Sequence, residues 1–237
     1  MKSDAYKHLF VAENLMGPNS LRILDALLEE YTLSLAAEQT ILDLGCGTGV
    51  TSLFLAKETG ATVYANDLWI SAEDNRKRFA AWGLSDRMIP VQEDANCLSF
   101  EKEMFDAVVS IDAYHYFGAK EGFFAERILP LLKPGGVALI AVPGMKDAYD
   151  GRSRELLTPW LGDESYMFQS PRAWARFIGE HPQIAQVRTW EMAAFTQPWE
   201  EWFQTGHPYA EGDKQHYHSL IEPYSCFVGI MVQKANG

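Results

Sequence analysis

The chain is short of cysteine, of basic charge and of long apolar runs. Cys46, Cys97 and Cys226 are the three cysteines in 237 residues. They are too few and too scattered for a disulfide framework, and no C-x-x-C pair offers the spacing of a zinc site. Lys and Arg number 20 against 32 Asp and Glu, a formal net charge of −12. A surface of that sign repels phosphate backbones, so nucleic acid is not the expected substrate. The longest apolar stretches are strand-length, far below the roughly 20 residues that span a bilayer. The start, Met1-Lys2-Ser3-Asp4-Ala5-Tyr6-Lys7, leads into mixed residues rather than the apolar core of a signal peptide. These absences predict a soluble, cytoplasmic protein with no membrane or nucleic-acid partner and no bound metal.

What is present is ordinary globular material. A hydrophobic fraction of 47% beside 22% charged residues supplies a core and argues against disorder. At roughly 150 residues per domain the length suits one large domain over 1–237 with an inserted segment. Tyr6, Leu9, Phe10, Glu13 and Met16 follow helical spacing, so residues 1–17 are expected to form a short amphipathic helix that needs a partner surface, ended by Gly17-Pro18. In the next helix, from Pro18-Asn19-Ser20, the stripe Leu21, Leu24, Leu28 and Tyr31 faces the core, and Asp25, Glu29 and Glu30 lie off it.

From Thr40 the pattern becomes alternating. Ile41–Leu44, Ala61–Ala65, Met88–Val91, Phe105–Ile111 and Val137–Val142 read as buried strands, separated by helices after Gly49, over 71–82 and over 123–132. Five strands alternating with helices imply an α/β fold with a doubly wound parallel sheet. Residues 144–182 break the alternation with Gly144, Gly151, Pro159, Gly162, Pro171 and Pro182 among aromatics, as expected of an insertion lying over the sheet as a lid. Gln186–Met192 and Cys226–Gln233 close the chain as two more strands, with a short helix over 198–203 between them.

Asp43-Leu44-Gly45-Cys46-Gly47-Thr48-Gly49 is the most informative stretch. Glycines at every second position let the chain turn sharply between strand and helix and bring backbone amides against a ligand. The spacing is Gly-x-Gly-x-Gly with a carboxylate two residues ahead, whereas the dinucleotide fingerprint wants Gly-x-Gly-x-x-Gly. Here the sequence resembles the class I S-adenosylmethionine-dependent methyltransferases, in flavour the small-molecule group that includes ubiquinone, menaquinone and glycine or sarcosine methyltransferases. The resemblance implies a Rossmann-like, mostly parallel seven-stranded sheet with helices on both faces, its last strand antiparallel, and an aromatic lid. It implies S-adenosyl-L-methionine as cofactor, S-adenosyl-L-homocysteine as product, and a small-molecule methyl acceptor.

The same resemblance assigns roles. The turn Gly45, Cys46, Gly47, Thr48 and Gly49 packs against the amino-acid end of the cofactor, and Asp43 organises the network around its ammonium. Asp67, ending Val63-Tyr64-Ala65-Asn66-Asp67 22 residues after Gly45, accepts the ribose hydroxyls, as two adjacent acceptors suit a diol. Ser71 is the better candidate to cap the following helix. Leu68 and Trp69 line the adenine side, with packing in the core an equal alternative for Trp69. Asp94 in Glu93-Asp94-Ala95 takes the adenine amino group, although Glu93 stands where glycine is usual. Ser110 ends the fourth strand, and Asn19 lies where an N-terminal segment covers the cofactor.

Ligands in such sheets bind outside the carboxyl ends of the strands, so Ser110-Ile111-Asp112-Ala113-Tyr114-His115-Tyr116-Phe117 faces the reacting centre. Methyl transfer is an in-line displacement, and the protein must align a nucleophile and remove its proton. His115 is the candidate general base, because imidazole titrates near neutrality; packing is the alternative. Asp112, Tyr114 and Tyr116 are candidate substrate contacts. Trp160, Tyr166, Phe168, Trp174 and Phe177 in the insertion form either a pocket or core. His207, His216 and His218 with Glu211 and Asp213 read as a polar surface loop rather than a metal site. Rival readings stay open at this point: an NAD-dependent oxidoreductase, or a non-catalytic cofactor-binding regulatory protein. The acceptor atom, oxygen, nitrogen or carbon, is open too, and a homodimer is an allowed assembly.

Overall fold

The computed structural model describes residues 1–31 and 38–236. Its centre is a seven-stranded sheet in the order β3-β2-β1-β4-β5-β7-β6. The strands are β1 (Thr40–Leu44), β2 (Thr62–Asn66), β3 (Met88–Val91), β4 (Phe105–Ile111), β5 (Leu132–Met145), β6 (Ile184–Glu191) and β7 (Ser225–Lys234). β1 to β5 pair in parallel, and β7 runs antiparallel between β5 and β6, with Val137 opposite Gln233 and Met145 opposite Ser225. The mostly parallel sheet with a reversed last strand is the architecture that the family resemblance implies.

Strand residues alternate between two cores, as a period of two requires. Ile41, Val63, Val109 and Leu139 enter one core with α1 (Ser20–Glu30) and α2 (Val50–Thr59). Leu42, Leu44, Val108 and Ile140 enter the other, which also holds Phe124, Ile128 and Trp174. α3 (Ala72–Ala81) follows β2, and Ser71 caps it, its Oγ accepting from the Asp74 amide at 3.0 Å. Cys46 and Cys226 are buried and Cys97 is exposed, all three unpaired. Among the described residues no helix is long and apolar enough to cross a membrane.

Five expectations change. The N-terminal helix is a 3-10 helix over Lys2–Leu9, and Asn14 Nδ2 donates to the Leu9 carbonyl at 3.1 Å just past its end. Residues 10–19 then run irregularly to the site. Asp25 is buried rather than facing solvent, because the amide and hydroxyl of Ser3 donate to its Oδ2 at 2.7 and 2.6 Å. The segment 123–132 forms a π-turn (Phe124–Ile128) and a 3-10 turn (Leu129–Leu131) instead of one regular helix; Pro130 has no N–H to continue the ladder. The insertion over 144–182 divides. β5 runs through Met145, α4 (Ser153–Leu161) and the 3-10 turn Gly162–Met167 lie toward the site, and α5 (Pro171–Ile178) buries Trp174 completely in the second core. α5 is therefore a crossover helix on the sheet and no part of a lid. α6 (Thr196–Phe203) and α7 (Pro208–His216) precede β7; the His-rich stretch is mostly helix rather than loop.

Candidate active site

The carboxyl ends of β1, β2 and β4 open into a cavity of ≈390 Å³, lined by the glycine turn, the ends of β2 and β4, and residues from Asn14 to Ser20. The turn holds its shape through the neighbouring strand. The Gly45 and Cys46 amides both donate to the Asn66 carbonyl, at 2.8 and 3.0 Å, and the Gly47 amide donates to Asp67 Oδ2 at 2.8 Å. The sequence suggested that these amides face a ligand; instead they tie β1 to β2. Glycine serves here through conformation and clearance. Gly45 has φ +79°, and a Cβ on it would fall 2.3 Å from the Ala113 Cβ. At Gly47, φ +56°, a Cβ would meet only the Met16 Sδ at 3.4 Å, on the cavity side.

Asp67 is 7% exposed and lines the cavity. Its Oδ1 accepts from the Trp69 and Ile70 amides at 2.8 and 2.9 Å, so Oδ2, with one donor, keeps capacity for another. Leu68 and Trp69 are exposed at the cavity edge, and Trp69 meets Tyr116 edge-on at 5.1 Å, which brings the ends of β2 and β4 together over the mouth. The core alternative for Trp69 is thereby excluded. Asp94 and Ala95 also line the cavity. The amide and side chain of Asn96 donate to Asp94 Oδ1 and hold its carboxyl below the ordinary range. Glu93 is accommodated by a reciprocal pair with the Asn66 side chain, 3.1 and 3.0 Å.

Several expected contacts lie outside this cavity. Asp43 sits beneath the turn, fully buried, its Oδ2 accepting from Thr51 and Ser52 at 2.7 and 2.6 Å, with Oδ1 unpartnered. Burial raises its pKa to about 6, the two hydroxyls opposing. It anchors the start of α2 through these two hydroxyls. Ser110 Oγ donates to the Leu44 carbonyl at 2.6 Å, joining β4 to β1. Gly49 packs against Phe79. Asn19 caps α1, accepting from the Leu21 and Arg22 amides, and donates to Glu201 at 2.6 Å. Tyr114 is 1% exposed in the second core against Phe117, Phe123 and Trp174. Of residues 112–117 it alone is absent from the lining of both cavities, its ring being taken up by that aromatic packing.

A second cavity, ≈130 Å³, adjoins the first. Met16, Gly17, Pro18, Asp112 and Tyr116 line both. His115, Trp160, Phe168, Trp199, Glu164 and Asp213 line the second alone. His115 is 5% exposed, and burial presses its pKa down to about 3, so the imidazole is neutral. Asp112 takes φ +56°, and burial, with the Asp213 charge adding, raises its carboxyl to about 8. Of these groups sequence reasoning missed Asn14, Met16, Gly17 and Asp213. Gly17-Pro18 had only the look of a helix end, and Asp213 was read within a surface loop.

Residues 41–136 match the family model described as "Methyltransferase domain". The chain is 33% identical over 129 residues to the sterol 24-C-methyltransferase of Saccharomyces cerevisiae, an overlap of 53% of this chain and 33% of that protein. The chain therefore spans about a third of the length of such curated relatives. A putative sarcosine dimethylglycine methyltransferase from Galdieria sulphuraria superposes with TM-score 0.74 at 19% identity, covering 92% of this chain and 86% of that one. Geranyl diphosphate C-methyltransferase from Streptomyces coelicolor, solved with Mg2+, geranyl diphosphate and S-adenosyl-L-homocysteine, gives 0.71 at 15% identity, covering 91% and 80%. The fold of the chain is thus the Rossmann-like fold of those two structures; none of the three relatives named is a quinone methyltransferase.

Proposed function

We propose that the protein is an S-adenosylmethionine-dependent methyltransferase acting on a small molecule. The observation that carries this reading is the pair of joined cavities: one beside the glycine turn and the Asp67 carboxylate, the other reached past Asp112 and Tyr116. The residues present fit the cofactor. The side of Gly47 that a Cβ would fill is open to the larger cavity, so Gly45 to Thr48 would hold the amino-acid end. Asp67 Oδ2 has capacity for a ribose hydroxyl. Leu68, Trp69, Asp94 and Ala95 would hold the base. When bound, the cofactor supplies an electrophilic methyl group on a positively charged sulfur.

The chain's own residues do the rest. Met16, Gly17 and Pro18 cover the junction between the cavities and exclude water there. Asp112 is the group placed to take a proton from the acceptor, since its carboxylate borders both cavities and its raised pKa suits a base working near neutrality. His115, kept neutral by burial, orients the acceptor rather than storing its proton. The general-base expectation thus moves from His115 to Asp112. Asn19, Asp43, Gly49 and Ser110 are positioning residues, acting through the turn and the strands. Both cavities are lined from one chain, so the reading needs no second copy. A cytoplasmic location belongs to the same proposal and is supported by the unpaired cysteines.

Calorimetry tests the reading. S-adenosylhomocysteine is expected to bind and NAD is not; Gly47→Val should weaken the nucleoside by about tenfold or more, roughly 1.4 kcal/mol. Binding of NAD without S-adenosylhomocysteine would put the oxidoreductase reading in its place. A protein that binds S-adenosylhomocysteine and turns over no acceptor would be the regulatory protein.

A further inference from the structure

The smaller cavity carries a charge and shape of its own. Asp112, Glu164 and Asp213 line it, and among the described residues no Lys or Arg does. Its aromatic wall is continuous. The His115 ring lies 4.1 Å from Tyr116 and 6.2 Å from Phe168, Phe168 meets Trp160 at 5.3 Å, and Trp160 meets Trp199 at 5.9 Å. Asp213 is held in place by two indoles, Trp160 Nε1 donating to Oδ1 and Trp202 Nε1 to Oδ2, each at 2.9 Å. His115, nineteen-twentieths buried, lines the same space, and its Nδ1 has no hydrogen-bond partner. Such a ring stays uncharged and keeps a nitrogen to meet a polar ligand.

We propose that this cavity selects a small cationic amine as the methyl acceptor, the aromatic wall and the Asp112 and Asp213 carboxylates binding its ammonium group. This rests on the methyltransferase reading above. Aromatic faces attract a cation through their quadrupole, and carboxylates in a partly dry site do so more strongly than in water. The volume points the same way: drug-sized ligands take about 300–1,000 Å³, and ≈130 Å³ suits a short amine rather than a sterol. The three carboxylates oppose a diphosphate such as the one bound by the Streptomyces coelicolor enzyme. The charge of the ammonium favours the ionised form of Asp112 beside it, and that carboxylate takes one proton from it, freeing the nitrogen lone pair. As the lone pair forms the N–C bond, the C–S bond breaks and its two electrons stay on sulfur, so the product nitrogen carries the positive charge. The upward push of burial on Asp112 makes it a stronger base for this proton.

The probe is tetramethylammonium, titrated by calorimetry into protein saturated with S-adenosylhomocysteine, beside tert-butanol as a neutral molecule of similar shape and inorganic phosphate as an anion. Tetramethylammonium is expected to bind about tenfold or more tighter than tert-butanol, and phosphate not at all. Asp112→Asn, which tolerates the same positive φ, should weaken the cation by about fivefold or more, each variant's own S-adenosylhomocysteine affinity reporting its folding. Glu164→Gln, on an exposed side chain, should give a smaller loss and needs no buried change. Short primary, secondary and tertiary amines are then offered with S-adenosylmethionine, and at least one should release S-adenosylhomocysteine above the acceptor-free rate. If S-adenosylhomocysteine binds while tert-butanol or phosphate matches the cation, or no amine is turned over, the amine inference falls and the cofactor reading stands. If S-adenosylhomocysteine itself does not bind, both fall.

Discussion

Gly45 and Gly47 lie two residues apart in one turn, yet they answer to different neighbours. A Cβ at Gly45 meets the Ala113 Cβ at 2.3 Å, inside the packed ends of β1 and β4, while one at Gly47 projects toward the cavity and Met16. Gly45→Ala should therefore cost stability, about 1–3 kcal/mol of overpacking added to positive-φ strain, read as a lower midpoint in denaturant. Gly47→Val should mainly cost nucleoside affinity, with the smaller loss of stability of the two; the reverse order would mean the turn is not aimed as described. The acidic residues give a pH signature. Burial raises Asp112 to about 8 and Asp43 to about 6, both above the ordinary aspartate value of 3.8. The folded state thus holds those protons more tightly than the unfolded chain, and the stability they contribute, full below pH 4, is lost as pH rises through about 6 and then about 8. Asp112→Asn has no proton to lose there. Its melting temperature should gain on wild type steadily from pH 5 to pH 8, and parallel curves would contradict the shift.

Elements meet at Arg22. This side chain is 1% exposed in α1. Its Nη1 donates to Ser3 Oγ at 2.9 Å, its Nη2 to Asp4 at 2.8 Å, and its Nε to Glu201 of α6 at 2.9 and 3.0 Å. The clamp holds Asp4 well below the ordinary carboxylate range. It fastens the N-terminal segment, and thereby Met16 and Gly17 at the junction of the cavities, to two helices. Removing Arg22 leaves the largely buried Glu201 carboxylate and the buried Ser3 hydroxyl without their shared donor, while the half-exposed Asp4 returns to solvent. Arg22→Ala should lower the denaturant midpoint, and limited proteolysis should then cut first within residues 1–17. Because that segment covers the site, S-adenosylhomocysteine affinity should fall with it. Helical spacing in α1 could not announce this role: Arg22 and Asp25 lie off the apolar stripe, and they are buried because Ser3 returns from far along the chain to meet them.

At the scale of the molecule, the site is closed by two segments from opposite sides of α5 and β6. Residues 147–168 come after β5 and residues 196–221 before β7, and the Trp160 to Asp213 hydrogen bond joins them over the smaller cavity. Trp160→Phe removes that bond and keeps an aromatic wall. Amide hydrogen exchange should then speed up over 153–168 and 208–221 and stay unchanged in β1, β4 and β5, since local opening follows local contacts. Equal acceleration in the sheet would mean that the two segments are part of one cooperative core.

The sheet and the position of the larger cavity were legible in the residues. Ile41–Leu44, Ala61–Ala65 and Phe105–Ile111 announce themselves because strands buried on both faces are mostly apolar and local in sequence. Gly45 to Gly49 and Asp67 stand out because a turn with φ of +79°, +56° and +88° admits little but glycine. Which way each side chain points was decided only by packing. Tyr114 and Tyr116 are chemically alike and two apart, and one lies in the core while the other forms the wall of the site. Asp112 and Asp213 are separated by a hundred residues, and only the folded chain makes them share a cavity. Periodicity records the local backbone; the meeting of distant segments depends on the whole set of contacts at once.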